Sequence, residues 1–217
     1  MVVILILLVA VMLVVATILR ILIIAHWPLH DFIDEKLANQ TRRWLLGQPL
    51  VYGWKAHSGS AGVFWHRNFV LPGTYKHHYD DGAWRHDLTF EAFLREPSPL
   101  ADVARLVQAE FLKGVSLTRV WVNVQSFGDE ASLHRDFPQE FAGQARSVIW
   151  YPVDKWDPDW GGDLIVLDQD GEIEAAAMVK PNRLVCIDGT KPHSVRPMSR
   201  YCNALRIAVA FACEVGQ

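Results

Sequence analysis

His134, Asp136 and His193 are the residues of this 217-residue chain whose types and spacing best suit chemistry. Two imidazoles and one carboxylate, with nothing to complete a closed shell, are what an open iron site needs, because half of an octahedral ion then stays free for reactants. In an extended strand residues i and i+2 project to one side, so His134 and Asp136 can reach the same metal while Arg135 points away. His193 lies far downstream. Only a fold that brings distant strands together, such as a barrel or jelly roll, sets it beside the first pair. The chemistry expected of such a site is oxygen activation.

The elements that must position these residues are legible as alternating, β-branched segments from Arg119 onward: 120–124, 147–151, 163–167, 183–187 and 207–211. Short strands separated by Gly, Pro and Asp turns predict a β-sandwich or jelly roll. Ser98-Pro99 reads as a cap followed by a first-turn proline, opening a helix whose apolar face is Leu100, Val103, Leu106, Val107 and Phe111 and which ends near Gly114. Helical spacing also predicts a helix over about 31–46, stopped by Gly47. Residues 48–88 read as short strands and loops. Gly161-Gly162 reads as a turn that lets the next strand approach the core, and Asp188-Gly189 as a hairpin turn setting up His193.

Half of the residues are apolar and the net charge is -3, enough for one sizeable core and without the basic footprint of a nucleic-acid partner. Cys186, Cys202 and Cys213 form no CxxC pair, which favours a reducing compartment and disfavours a zinc finger. The segment from Val2 to Leu19 carries no charge and the apolar run resumes from Ile21 to Ala25, the length that crosses a bilayer as a helix. Residues 1–26 are therefore expected to form a single-pass transmembrane anchor. Arg20, Lys36, Arg42 and Arg43 all follow that span, which places the catalytic part in the cytoplasm. Residues 27–118 are then helices and short strands that support a core at 119–217.

The motifs SFGDEASLHRDFP, YPVDKWDPDWGGDLIVLD, KPNRLVCIDGTKPHSVRP and RYCNALRIAVAF, in that order over about 119–213, resemble the Fe(II)/2-oxoglutarate dioxygenases, closest to the prolyl-4-hydroxylase-like branch. The resemblance implies a mainly β fold, a double-stranded β-helix or jelly roll with flanking helices. It implies Fe(II) held by His134, Asp136 and His193, with 2-oxoglutarate and dioxygen as co-substrates and ascorbate as an accessory reductant. It also implies hydroxylation of an unactivated C–H bond, a peptidyl proline among the candidates, with release of succinate and CO2.

Arg206 matches the family's anchor for the distal carboxylate of 2-oxoglutarate, since a guanidinium grips a carboxylate through two charge-assisted hydrogen bonds. Arg200 is the runner-up. Asn123 and Gln125 lie where relatives bind the co-substrate, and Tyr151 is placed to line the same pocket. The implied partners are a protein, peptide or small-molecule substrate, and the membrane through the N-terminal helix.

Blander readings stand beside these. His66 and His86 read as core or surface residues, and His77-His78 with Asp80 and Asp81 as a solvated turn. Trp65, Trp156 and Trp160 are candidates for a substrate mouth, though packing explains at least two of them. A binding protein that keeps the jelly roll without turnover, and a zinc enzyme built on the same triad, are the alternatives from other classes.

Overall fold

The computed structural model describes residues 31–71, 89–112 and 115–215. Asp34 opens the first helix, α1 (Glu35–Leu46), by accepting the backbone N–H groups of Lys36 and Leu37 at 3.0 and 3.2 Å. The cap explains why the helix begins after Asp31, four residues later than its apolar spacing suggested. Ala38, Thr41 and Leu45 form its buried face. A short helix, α2 (Phe90–Arg95), leads to α3 (Pro99–Phe111), where Ser98 Oγ accepts the N–H of Ala101 at 3.2 Å and proline fills the first turn. Leu100, Ala101, Val103, Ala104 and Val107 are fully buried.

Among the described residues ten strands make two antiparallel sheets. β1 (Val51–Trp54), β2 (Phe64–Val70), β3 (Val115–Gln125), β5 (Ala145–Tyr151), β8 (Arg183–Asp188) and β10 (Arg206–Val215) form a major sheet in the order β1-β2-β3-β10-β5-β8. β4 (Ala131–His134), β6 (Leu164–Leu167), β7 (Ile173–Ala177) and β9 (His193–Val195) form a minor sheet in the order β4-β9-β6-β7. This mainly β arrangement is that of a jelly roll.

Alternation along β3 divides its side chains between two environments. Val120, Val122 and Val124 are buried on the face away from the intersheet cavity, whereas Arg119, Trp121 and Asn123 line it. β10 repeats the division, with Ile207, Val209 and Phe211 on one face and Arg206, Ala208 and Ala210 on the cavity side. The helices α2 and α3 pack on β3, so both faces of the major sheet are covered. That double cover is why β5, β8 and β10 carry buried apolar residues on both faces.

Two sequence expectations are corrected. Among the described residues no helix is long and apolar enough to cross a membrane; the longest, α3, has 13 residues against the roughly 20 that a bilayer needs. The anchor expected at residues 1–26 lies outside the described residues, as do His77-His78, Asp80, Asp81 and His86. The transmembrane element of the fold, and with it the membrane location and its cytoplasmic orientation, has no support among the described residues. The turn at Asp188-Gly189 is no hairpin either: β8 lies at the edge of the major sheet and β9 inside the minor one, so the turn carries the chain between sheets.

Candidate active site

His134 ends β4 and His193 begins β9, and the two are direct cross-strand partners. Their ring centroids are 4.4 Å apart. Asp136, two residues past the strand end, faces both: its Oδ1 is 3.7 Å from His134 Nε2 and its Oδ2 is 3.5 Å from His193 Nε2. The three donor atoms lie within 4.8 Å of one another, so one metal ion fits among them.

Tautomer supports that fit. His134 Nδ1 is 2.8 Å from Ser132 O and His193 Nδ1 is 3.0 Å from Lys191 O. A carbonyl only accepts, so each Nδ1 carries the proton and each Nε2 presents its lone pair toward Asp136. Burial, aided by His193, pushes the His134 pKa down to about 4, which keeps the ring neutral at physiological pH. Burial alone would raise Asp136, but the charge that His193 and His134 take up on protonation, the Ser147 hydroxyl and the Arg119 charge outweigh it and hold its carboxyl below the usual range. Ser147 Oγ donates to Asp136 Oδ2 at 2.5 Å.

The backbone fixes the carboxylate as well. The N–H groups of Asp136 and Phe137 both donate to Gly189 O, at 3.0 and 3.1 Å. Gly189 sits so close that a Cβ there would lie 2.6 Å from Phe137 Cδ2 and 3.0 Å from Ser147 Oγ. The turn that delivers His193 thus also braces Asp136.

Arg206 is only 2% exposed, yet among the described residues no carboxylate hydrogen-bonds to it. Its Nε donates to Gly162 O at 2.8 Å, one terminal nitrogen to Gln125 Oε1 at 2.7 Å and the other to Tyr151 Oη at 3.2 Å. Burial lowers the Arg206 pKa and raises that of Tyr151, each offset in part by the other, and the pair stays guanidinium and neutral phenol. A buried cation whose hydrogen-bond partners are all neutral, with the Asp163 carboxylate acting on it only through space, suits completion by an anion. Gly162 makes the contact possible: its φ is 78°, and a Cβ would meet Arg206 Cδ at 3.1 Å. Arg200 is exposed on Tyr201, away from this cluster.

The triad and Arg206 line one cavity between the sheets, together with Asn123. The amide oxygen of Asn123 lies 2.7 Å from His66 Nδ1, so its NH2 group is what it offers the cavity. Gln125 and Tyr151 reach the site through Arg206. Arg135, expected to point away, is exposed but borders the cavity rim. Trp65 pairs with Tyr52 and Trp156 packs on Trp160, and neither Trp65, Trp156 nor Trp160 lines the cavity; Trp54 and Trp121 do.

Sequence reasoning missed Arg119, whose guanidinium stacks on Trp121 inside the cavity. The signal was present: Arg119, Trp121, Asn123 and Gln125 share one parity on a single strand.

The sequence profile of the 2OG-Fe(II) oxygenase superfamily matches residues 120–211, the stretch that contains the triad and Arg206. Those residues belong to the 2OG-Fe(II) oxygenase superfamily. The protein is accordingly a 2-oxoglutarate-dependent dioxygenase, with Fe(II) as cofactor and 2-oxoglutarate and dioxygen as co-substrates. No curated protein sequence matches the chain.

Solved structures agree in fold. A Pseudomonas putida prolyl-4-hydroxylase is 15% identical with a TM-score of 0.56, covering 89% of this chain and 94% of its own. A 2OG-Fe(II) oxygenase family oxidoreductase from Burkholderia pseudomallei is 12% identical with a TM-score of 0.61, covering 89% and 86%. A Trichoplax adhaerens prolyl hydroxylase, in complex with a hypoxia inducible factor oxygen degradation domain peptide fragment, is 16% identical with a TM-score of 0.54, covering 88% and 84%. At these identities the likeness is one of architecture.

Proposed function

We propose that this dioxygenase hydroxylates an unactivated C–H bond of an organic substrate, one oxygen atom entering the product and the other the succinate formed, with CO2, from 2-oxoglutarate. His134 Nε2, His193 Nε2 and an Asp136 oxygen would hold the iron, which supplies the oxygen activation. Arg206 would receive the distal carboxylate of 2-oxoglutarate, with Tyr151 and Gln125 fixing the plane of the guanidinium and Asn123 offering a further donor along the same wall. The observation that carries this reading is the buried Arg206, held by neutral partners in the cavity of the triad. A zinc hydrolase would leave that arginine without a purpose.

Peptidyl proline is the first substrate to test, since two neighbours in fold are named prolyl hydroxylases. Anaerobic addition of Fe(II) and 2-oxoglutarate to the full chain is expected to give the weak visible metal-to-ligand charge-transfer band, and Arg206→Ala to weaken its 2-oxoglutarate dependence. Succinate release that vanishes in His134→Ala completes the test. Metal binding without a band, or a band indifferent to Arg206→Ala, removes the basis for these assignments.

A further inference from the structure

Arg119 and Arg206 face the same cavity from different positions on the β-sheet. Arg206 pairs in register with Gln125, and Arg119 lies six residues earlier on β3, about 20 Å along an extended strand. The two guanidinium groups therefore address different parts of the cavity. Arg119 is also rigidly set. Its Nε donates to Asn68 Oδ1 at 3.2 Å, and Asn68 is buried. Its Cζ lies 4.2 Å from the centre of the Trp121 ring and 6.0 Å from that of Trp54. Trp54 is held in turn by parallel stacking on His66 at 3.7 Å.

Among the described residues the lining carries three guanidinium groups, Arg119, Arg135 and Arg206, against the single carboxylate of Asp136. In the hydroxylase reading, the ion with Asp136, and Arg206 with 2-oxoglutarate, roughly neutralise one another. The positive charge left over lies on Arg119 and Arg135, and Arg119 carries its share on an aromatic wall. Trp54, Trp121 and Phe64 supply flat apolar surface there, and Val195 closes it from the minor sheet.

We propose that Arg119 anchors the substrate through a carboxylate borne on a flat apolar group, with Trp54 and Trp121 receiving that group. The fixed guanidinium offers a planar fork to the carboxylate, and the fork loses little freedom on binding because Asn68 and Trp121 have already set it. Selectivity follows from charge. A neutral analogue of the same shape keeps the stacking and loses the ionic hydrogen bonds. The word "substrate" rests on the hydroxylase reading, whereas the binding of such an anion does not.

Phenylacetate and its neutral counterpart phenylacetamide are the probes, titrated by calorimetry into the full chain, metal-free and also loaded anaerobically with Fe(II) and 2-oxoglutarate. Phenylacetate is expected to bind at least about tenfold more tightly than the amide, the equivalent of one ionic hydrogen bond. Arg119→Gln is expected to abolish that preference while the visible band with 2-oxoglutarate still forms. Arg119→Lys, which keeps the charge, should retain part of the preference, and thermal melts confirm that both variants fold.

Equal binding of acid and amide, no measurable phenylacetate binding, or a preference that survives Arg119→Gln overturns the proposal. So does a preference lost through Arg206→Gln instead, which would put the probe in the co-substrate's place. If the visible band fails to form while phenylacetate still binds through Arg119, the hydroxylase reading falls and the anion site stands.

Discussion

A single methyl group placed at Gly189 tests how the geometry of the proposed iron ligands is held. In Gly189→Ala the new Cβ would lie 2.6 Å from Phe137 Cδ2 and 3.2 Å from Cε2. Carbon atoms rest at about 3.5–4.0 Å, so the ring must retreat by about 1 Å. Phe137 is 7% exposed and its N–H is tied to Gly189 O, so it has no free direction in which to turn, and the displacement passes to Asp136 next in sequence. Overpacking of this kind costs about 1–3 kcal/mol, which in a chain of this size lowers Tm by about 2–12 °C.

The metal suffers more than the fold. If Asp136 holds iron as proposed, pushing it off its position, with its Ser147 partner crowded at 3.0 Å, should weaken Fe(II) binding by about 10- to 100-fold. Anaerobic competition against a chromophoric chelator measures the affinity, and thermal melts measure the stability. Adding Phe137→Leu to Gly189→Ala removes the clashing ring edge and should recover most of the affinity. Gly47→Ala, whose Cβ would meet nothing closer than 3.5 Å, is the control expected to leave metal binding unchanged. Wild-type affinity in Gly189→Ala, or no recovery in the double variant, would refute the bracing role of this turn.

Two further outcomes follow from the same structure. His134 is lowered from 6.5 to about 4, so between those values the unfolded chain binds the proton that the folded chain refuses. The metal-free protein should keep its full stability above pH 6.5 and lose up to about 3 kcal/mol as pH falls toward 4, less for the 19% of the side chain that stays exposed. Urea melts of the metal-free wild type and His134→Asn at pH 7.5 and 5 isolate this contribution; parallel pH dependence in the two would sink it. Ser98→Ala, which removes the cap of α3, should cost about 1 kcal/mol in denaturant melts and leave iron affinity untouched; a matching fall in iron affinity would show the helix to be coupled to the site.

What could be read from the sequence is what local chemistry dictates. Ser98-Pro99 announced α3 because a hydroxyl cap and a first-turn proline act within one turn, and the long strands announced themselves because both faces of the major sheet are covered. Arg206 was preferred to Arg200 because it starts the terminal strand, and it is the buried one of the two.

The rest depends on contacts between distant segments. β4 and β9 have four and three residues, too few for any period to show, and their pairing is set by the other sheet. Arg119 passed unnoticed because its neighbours Trp54 and Asn68 come from other strands. Residue type alone makes Trp65, Trp156 and Trp160 candidates, whereas Trp54 and Trp121 line the cavity because β1 and β3 turn them inward. The apolar N-terminal run shows the reverse hazard, since composition alone suggested an element that no described helix supplies.

The cross-strand pairing of His134 with His193 has a consequence beyond chemistry. An ion held by both rings would be a stitch between two strands too short to stay paired by backbone bonds alone, placed at the edge of the minor sheet where, among the described residues, β4 has no neighbour on its outer side. Loading the metal and closing that edge of the barrel would then be one event. An enzyme that sheds its iron would loosen the wall of its own reaction chamber, so that scarcity of the metal reaches the shape of the protein as well as its rate.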